Sequence, residues 1–493
     1  MKGNIENFDK KKVIIIGGGP AGLTAAYELS KVDIESIVLE KDKMIGGISK
    51  TVHYKNFHFD IGGHRFFTKS KRVNDMWKAV LGDEFLRRKR LSRIYYNKKF
   101  FFYPLRPMNA LLGLGLYNSF LILLSYFSAH IFPSKPEKTF EQWVSNRFGR
   151  RLYTTFFKTY TEKVWGIPCG EIRAEWATQR IKGLSLKMAI KNSLMPSRKN
   201  SKNSTVIKTL IDSFDYPKLG PGMMWDTVAE SARKNGSQIY READVEGILW
   251  DKNKVQSVEA RINGKHMLFQ GTDFISSMPI RELIQKFRPT VPAEVLNAAN
   301  NLKYRDFLTI ALIVNKRDVF PDNWIYIHDQ GVRLGRIQNF KNWSPYMVPD
   351  PERTCLGLEY FCFEEDDLWS MSDQELIELG KRELETLDLV RAYDVEDGMV
   401  VRMPKAYPVY DSMYKDMLQI IRRFTNKIEN LQLVGRNGMH RYNNQDHSML
   451  TAIYAKENIL GAKHALWEIN EEPEYHEETI KEPVDVVIEE GVP

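Results

Sequence analysis

The chain has 493 residues, of which 43% are hydrophobic and 12% aromatic, and a formal net charge of +8. This length suggests two or three domains around a substantial core, with aromatics to spare for flat ligands or sugars, and the positive balance suits anionic ligands or an anionic membrane surface. Three cysteines, Cys169, Cys355 and Cys362, form no CxxC, and no HExxH occurs, which excludes the usual metal-site spacings and fits a reducing compartment.

The first twelve residues, MKGNIENFDKKK, are polar and lack the apolar centre of a secretion signal. KVIII, Lys12 to Ile16, is a β-branched run that predicts a buried parallel strand. GGGPAG follows at Gly17 to Gly22, then the helical AAYELS, then a second strand, IESIVLE, Ile34 to Glu40. Strand, glycine turn, helix and strand make one βαβ unit of a Rossmann-like domain. Gly17 serves the tight turn, Gly19 lets the backbone approach a pyrophosphate, and Gly22 lets helix and strand pack closely. Glu40 stands where a carboxylate can accept from ribose hydroxyls. The pairs Gly46–Gly47 and Gly62–Gly63 are further close-approach signals, and they favour FAD over NAD.

The stretch 64–108 is mixed, basic and aromatic. Asn109 to Pro133 holds no Lys, Arg, Asp or Glu. It reads either as a buried helix in a large core or as a helix lying in a membrane face, helped by RRKR, Arg87 to Arg90. Residues 136–192 carry helical spacing, and PSRKNSKNST, Pro196 to Thr205, reads as a loop. Gly222 to Gly236 predicts a helix ending at glycine. The runs QIYREADVEGILW, KVQSVEARI and KHMLFQGTDFISSMP predict strands. Residues 306–365 alternate apolar and polar, which predicts an antiparallel sheet in a second domain. NLQLVG, 430–435, is a last strand before the polar run HRYNNQDHSML, and the end of the chain, from Glu471, is acidic.

The expected architecture is therefore α/β: a Rossmann-like cofactor domain with an inserted helical region and a second domain built on an antiparallel sheet. The expected divisions are 1–63, 64–205 (helical insert), 206–285, 286–420 (antiparallel sheet), 421–467 and an acidic tail, 468–493.

Ordered blocks from about residue 12 to 463 resemble UDP-galactopyranose mutases, within the wider amine oxidase and protoporphyrinogen oxidase-like group of FAD proteins. The blocks are TEKVWGIPCGEIRAEWATQRI from Thr161, NWSPYMVPD from Asn342, KAYPVY from Lys405 and GRNGMHRYNNQDHSM from Gly435. The resemblance implies FAD that is active when reduced. It implies a ring contraction of a UDP-sugar through a flavin N5–sugar adduct, in the service of cell-surface polysaccharide biosynthesis. On this basis Arg180 and Arg336 bind the substrate diphosphate and, with His64, count as catalytic. Tyr407, Tyr442, Tyr103 and Trp165 complete the substrate set, and Val245, Arg436, Asp446 and the backbone of His64 belong to the cofactor site. The polar run from Asn444 to Met449 is expected to cap the last helix against the cofactor. The implied partners are a UDP-sugar or other anionic sugar and an external reductant, NAD(P)H or a reductase. No nucleic acid is expected. The expected setting is cytoplasmic, with peripheral contact at the inner membrane face through 109–133 and a homo-oligomer left open. The departures RFFTKSKR after His64, FYPLRPMNAL and FDYPKLGPGMMWD leave the sugar or its carrier open. The alternative is a true FAD oxidoreductase of the amine oxidase or protoporphyrinogen oxidase type, acting at the membrane.

Overall fold

A computed structural model describes residues 11–103, 105, 107–174 and 213–469; Arg180, the loop 196–205 and the acidic tail lie outside the described residues. Lys12–Ile16 forms the middle of a five-stranded parallel sheet. Glu35–Leu39 and Asp273–Ser276 flank it, with Gln238–Tyr240 and Leu431–Leu433 at the edges. Val13, Ile14 and Ile15 are wholly buried, as a parallel sheet covered on both faces requires. The helices Pro20–Ser30, Pro221–Lys234 and Gln445–Ile459 come from distant parts of the chain; the first packs against both of the others. Ala243–Asp251, Lys254–Ile262 and Lys265–Gln270 form an antiparallel meander beside this domain.

The second domain is a seven-stranded sheet. In order it runs Val395–Pro408, Tyr304–Val314, Thr354–Cys362, Arg336–Asn339, Trp324–Ile327, Ser92–Tyr96 and Lys99–Phe102. Its neighbours are antiparallel except at Trp324–Ile327 and Ser92–Tyr96, which run parallel. The last two strands of this order thus arise within 64–205, whose other described elements are helices and the strand Phe85–Lys89. The alternation read in 306–365 does not mark a solvated face. Tyr304–Val314 and Thr354–Cys362 are buried at every residue. One side of the sheet is covered by Leu376 and Leu384 of the helix Asp373–Thr386, the other by Phe59, Phe340 and Trp343. An acidic residue on such a strand, Glu359, must therefore have a dedicated partner.

In the insert, the helix Phe140–Phe148 begins at a Thr139–Gln142 capping box and stops at Gly149, whose φ is +82°. A helical run then continues to Trp165 and ends on Gly166 at φ +67°. The apolar stretch 109–133 is not a buried helix. It is two helices, Pro107–Leu114 and Leu116–Ile131, separated at Gly115 with φ +84°. Much of the second faces outward: Leu116 is 85% exposed and Phe120 60%. The run Arg87–Arg90 serves other contacts. Arg87 pairs with Asp215 at 2.9 Å, and Arg88 donates to the Asn342 carbonyl at 2.9 Å.

Candidate functional site

A cleft opens at the carboxyl ends of the parallel strands. Gly17, Gly19, Glu40, Gly47, His64, Val245 and Arg436 all line it. The glycines divide the work. A Cβ on Gly22 would lie 1.9 Å from the Gly17 carbonyl oxygen, so Gly22 is fixed by packing of helix on turn. A Cβ on Gly19 would meet nothing closer than 3.8 Å; the room beside it belongs to whatever fills the cleft. Gly46 donates its N–H to the Gly18 carbonyl at 2.8 Å, and a Cβ on Gly47 would come 3.3 Å from the Gly19 Cα, so the second glycine pair closes on the first. Gly62 and Gly63 approach the second domain: a Cβ on Gly62 would lie 3.7 Å from an Arg336 Nη, and one on Gly63 would lie 3.0 Å from Gln338.

Glu40 accepts from the N–H of Gly18 at 2.6 Å and of Asp42 at 2.8 Å, one on each oxygen. It thereby fixes the glycine turn, and each oxygen keeps a lone pair for a ligand hydroxyl. Burial raises its pKa, against the pull of those two N–H donors.

Two helix N-termini converge here. Asn444 stands at the N-cap of Gln445–Ile459, as the polar run predicts, but neither it nor Gly19 before Pro20–Ser30 gives a side-chain cap bond. Gly19, Pro20 and Ala21 at the start of one helix and Gln445 and Ser448 of the other line the cleft, where a helix N-terminus favours an anionic group. Three buried polar atoms on the cleft-lining residues lack a partner: His64 Nδ1, Asn437 Oδ1 and Gln445 Oε1. The amide nitrogen of Asn437 is spent on the Lys405 carbonyl and that of Gln445 on the Arg65 carbonyl, which leaves their oxygens as unsatisfied acceptors. Unsatisfied buried acceptors are costly, and a bound group carrying hydroxyl and amide donors would satisfy them. Burial, then the positive charges of Arg436 and Arg336, depress the His64 pKa to about 3, so the imidazole is neutral. Asp446 is buried in the first turn of the last helix, where burial raises its pKa.

Beyond this cleft lies the second group of predicted residues. Arg336 donates through Nε to Glu359, which is fully buried and also accepts from Gln338 at 2.7 Å. Burial opposes the Arg336 charge, but Glu359 beside it holds the guanidinium protonated. Its Nη groups make no hydrogen bond to the protein among the described residues. The Tyr407 and Tyr442 rings stack 5.7 Å apart, and Trp165 lies 6.5 Å and 6.4 Å from them. Burial, then Tyr442, pushes Tyr407 up to about 12, so its phenol stays a neutral donor. Arg436 joins the two groups: it lines the cleft and lies over the Tyr407 and Tyr442 rings. Tyr103 stands at the rim, 40% exposed, with its ring 4.7 Å from Tyr326.

Sequence reasoning missed Glu359, Tyr326 and Asn437, while Gln445 falls within the run Asn444 to Met449 that it singled out. The signal for Glu359 was there, a lone carboxylate inside the apolar run TCLGLEYF. Tyr326 had none, because its role depends on pairing Trp324–Ile327 with Ser92–Tyr96.

Among known families, the NAD(P)-binding Rossmann-like domain matches residues 15–80. An L-amino-acid oxidase of Crotalus adamanteus is 31% identical over 111 residues, 20% of this chain and 22% of that one. The curated relatives match only in part; an inactive all-trans-retinol 13,14-reductase of Danio rerio does so over 9% of its length. Among solved structures, a reduced UDP-galactopyranose mutase superposes with TM-score 0.80 at 20% identity, over 94% of this chain and 98% of that one. A protein from Exiguobacterium sp. 255-15 described as a protoporphyrinogen oxidase does so with TM-score 0.68 at 16% identity, over 92% and 99%. The chain therefore shares its fold with these two solved structures over 94% and 92% of its length: a Rossmann-like domain with inserted helices and a separate, largely antiparallel sheet.

Proposed function

We propose that the chain is an FAD-dependent isomerase of an anionic sugar nucleotide, of the kind that converts UDP-galactopyranose to UDP-galactofuranose. One observation carries this reading. A protonated Arg336, whose Nη groups make no protein hydrogen bond among the described residues, lies beside the neutral Tyr407, and that group is joined through Arg436 to a cleft suited to a dinucleotide. A pocket for an apolar amine would not need a buried guanidinium held on its own carboxylate.

Gly17, Gly19, Glu40, Gly47, His64, Val245 and Arg436 would hold FAD, with Asp446 and the two helix starts completing the shell. Reduced flavin would supply a nucleophilic nitrogen while the sugar leaves and rejoins its diphosphate. Arg336 presents two Nη groups to the departing diphosphate in a fork that suits phosphate oxygens. Tyr407 adds a neutral hydroxyl donor and Tyr442 a second hydroxyl, and the stacked rings with Trp165 keep water from the wall where charge develops. Glu359 fixes the guanidinium before substrate arrives, so no reorganisation is needed during reaction. Neutral His64 offers a hydrogen-bonding atom at the cofactor without adding charge. Arg180 would be the second arginine on the diphosphate. NAD(P)H or a reductase would keep the cofactor reduced.

The test is anaerobic conversion. The purified protein, reduced with dithionite, should interconvert UDP-galactopyranose and UDP-galactofuranose, and the oxidised protein should not. Bound FAD without conversion would reject the sugar assignment. The outward apolar helix favours a second reading, an oxidoreductase acting at the membrane; bleaching of the oxidised flavin by an amine or porphyrinogen would support it.

A further inference from the structure

The helix Leu116–Ile131 inverts the usual arrangement of a surface helix. Leu116, Phe120, Leu124, Phe127 and Ile131 recur at helical spacing and are each at least 50% exposed, and Tyr117 and Phe132 extend the stripe. The inward face carries Ser119, Ile122 and Tyr126. The helix is firmly seated. A Cβ on Gly149 would lie 2.7 Å from the Tyr126 backbone nitrogen, and Arg151 donates to Asn118 at 2.8 Å and to Ser125 at 3.1 Å. The apolar side therefore faces outward by construction. Leu112 on the preceding helix widens it. Side chains this open expose on the order of 1,000 Å² in one patch, above the few hundred Å² usual for monomers.

The surroundings are basic. From Asn97 to Lys158 the sequence carries nine lysines and arginines against two acids, Glu137 and Glu141. Glu137 is held by Arg147 at 2.9 Å. Lys99, Lys135, Lys138, Arg150 and Arg151 are exposed, placed at the turn before the helix, just beyond its end and along its flank. A helix of 16 residues is about 24 Å long, short of the roughly 30 Å hydrocarbon core, so it cannot span.

The geometry points to this face as a docking surface for an anionic lipid bilayer, with the helix lying in the interface, its aromatics in the acyl boundary and the flanking cations on lipid phosphates. A second copy fits less well, because a twofold contact would set the two basic rims against each other. The same helix packs, through Ile122, on the cluster of Phe101, Trp143 and Trp165 that meets Tyr407 and Tyr442, so docking would bring the candidate substrate pocket near the lipid surface.

The test is flotation of the full chain with vesicles. Phosphatidylglycerol–phosphatidylcholine vesicles should carry at least tenfold more protein than phosphatidylcholine alone, and salt should reduce the excess. The triple variant Leu116→Glu, Phe120→Glu, Phe127→Glu should lose this binding while keeping its melting temperature and flavin spectrum. Tyr393→Glu, which is equally exposed elsewhere, should not lose it. Absent flotation overturns the proposal, as does flotation unaffected by the triple change. A concentration-dependent dimer that the triple variant abolishes, without flotation, would assign the face to a second copy. Binding that appears only after removal of 471–493 would assign it to the chain's own acidic end.

Discussion

The Arg436 guanidinium lies 4.7 Å from the centre of the Tyr442 ring, closing the cofactor cleft on one side and the tyrosine pocket on the other. Its Nε also donates to the Asn443 carbonyl at 2.9 Å, and an Nη donates to that of Ala406 at 3.2 Å. One cation thus ties the loop after the last strand to the second domain. Arg436→Met keeps bulk and loses charge and donors. It should weaken flavin binding roughly tenfold, about 1.4 kcal/mol, and also weaken UDP binding, as flavin fluorescence and calorimetry would show. Loss of only one of the two would contradict the coupling.

Arg336 and Glu359 form a buried pair and should behave as one. Glu359→Gln removes the carboxylate charge and leaves the guanidinium without a counter-ion, and should cost about 3–5 kcal/mol of stability. Arg336→Met with Glu359→Leu should recover most of that stability, because neither charge is then stranded. Both variants should bind UDP on the order of 10- to 100-fold more weakly. Denaturant melts and UDP titrations of the cycle would check this; a stable double variant with intact UDP affinity would remove Arg336 from the substrate site.

Two glycines of the first turn should fail differently. Gly22→Ala drives its Cβ into the Gly17 carbonyl, so the turn must open and stability should fall by about 1–3 kcal/mol. Gly19→Ala has room, at an ordinary φ of −82°, and should leave the melting temperature of the flavin-free protein unchanged. It should still lower flavin affinity, since the new methyl occupies the cofactor's space. A Gly19→Ala protein as yellow as the parent would rule out the pyrophosphate placement.

The buried histidines should each cost the fold stability as pH falls. Burial depresses His64 and His328 to about 3 and His440 to about 4. The unfolded chain binds these protons from its ordinary histidine value of 6.5 downward, so stability is full above 6.5 and falls as pH drops toward the folded values. Each histidine contributes up to about 2 kcal/mol of loss by about pH 5. Asp60, raised to about 7 by burial against its bonds from Tyr216 and Thr51, has the opposite sign: its contribution is present at low pH and fades as pH rises through 7. His58, lowered to about 4, adds to the histidine side, while Glu40, Asp306, Asp322, Glu359 and Asp446, raised by burial, share the sign of Asp60, so the histidine share is read by comparing the urea midpoints of parent and histidine variants at about pH 5 and about pH 7.5. His64→Gln should flatten the slope; an unchanged slope would mean His64 is protonated when folded.

Much of the frame was legible in the chain because it depends on local chemistry. The β-branched run at Lys12–Ile16, the three glycines and Glu40 form one contiguous unit, and a turn that tight admits few residues. The glycine-terminated helix and the strands near Val245 follow from the same local rules. Arg336 and the tyrosines came only from motif resemblance, since nothing near each of them in sequence says what it faces.

What tertiary structure decided is where separate segments meet. Only pairing of the long strands places Arg336 opposite Glu359, and only the seam between domains sets Arg436 over Tyr407 and Tyr442. The apolar run 109–133 shows the limit most clearly. A stripe of leucines and phenylalanines serves a core and a lipid surface equally well, so the sequence cannot say which side of the helix packs. Gly149 and Ser125 choose, by letting a neighbouring backbone approach, and they turn the leucines and phenylalanines outward.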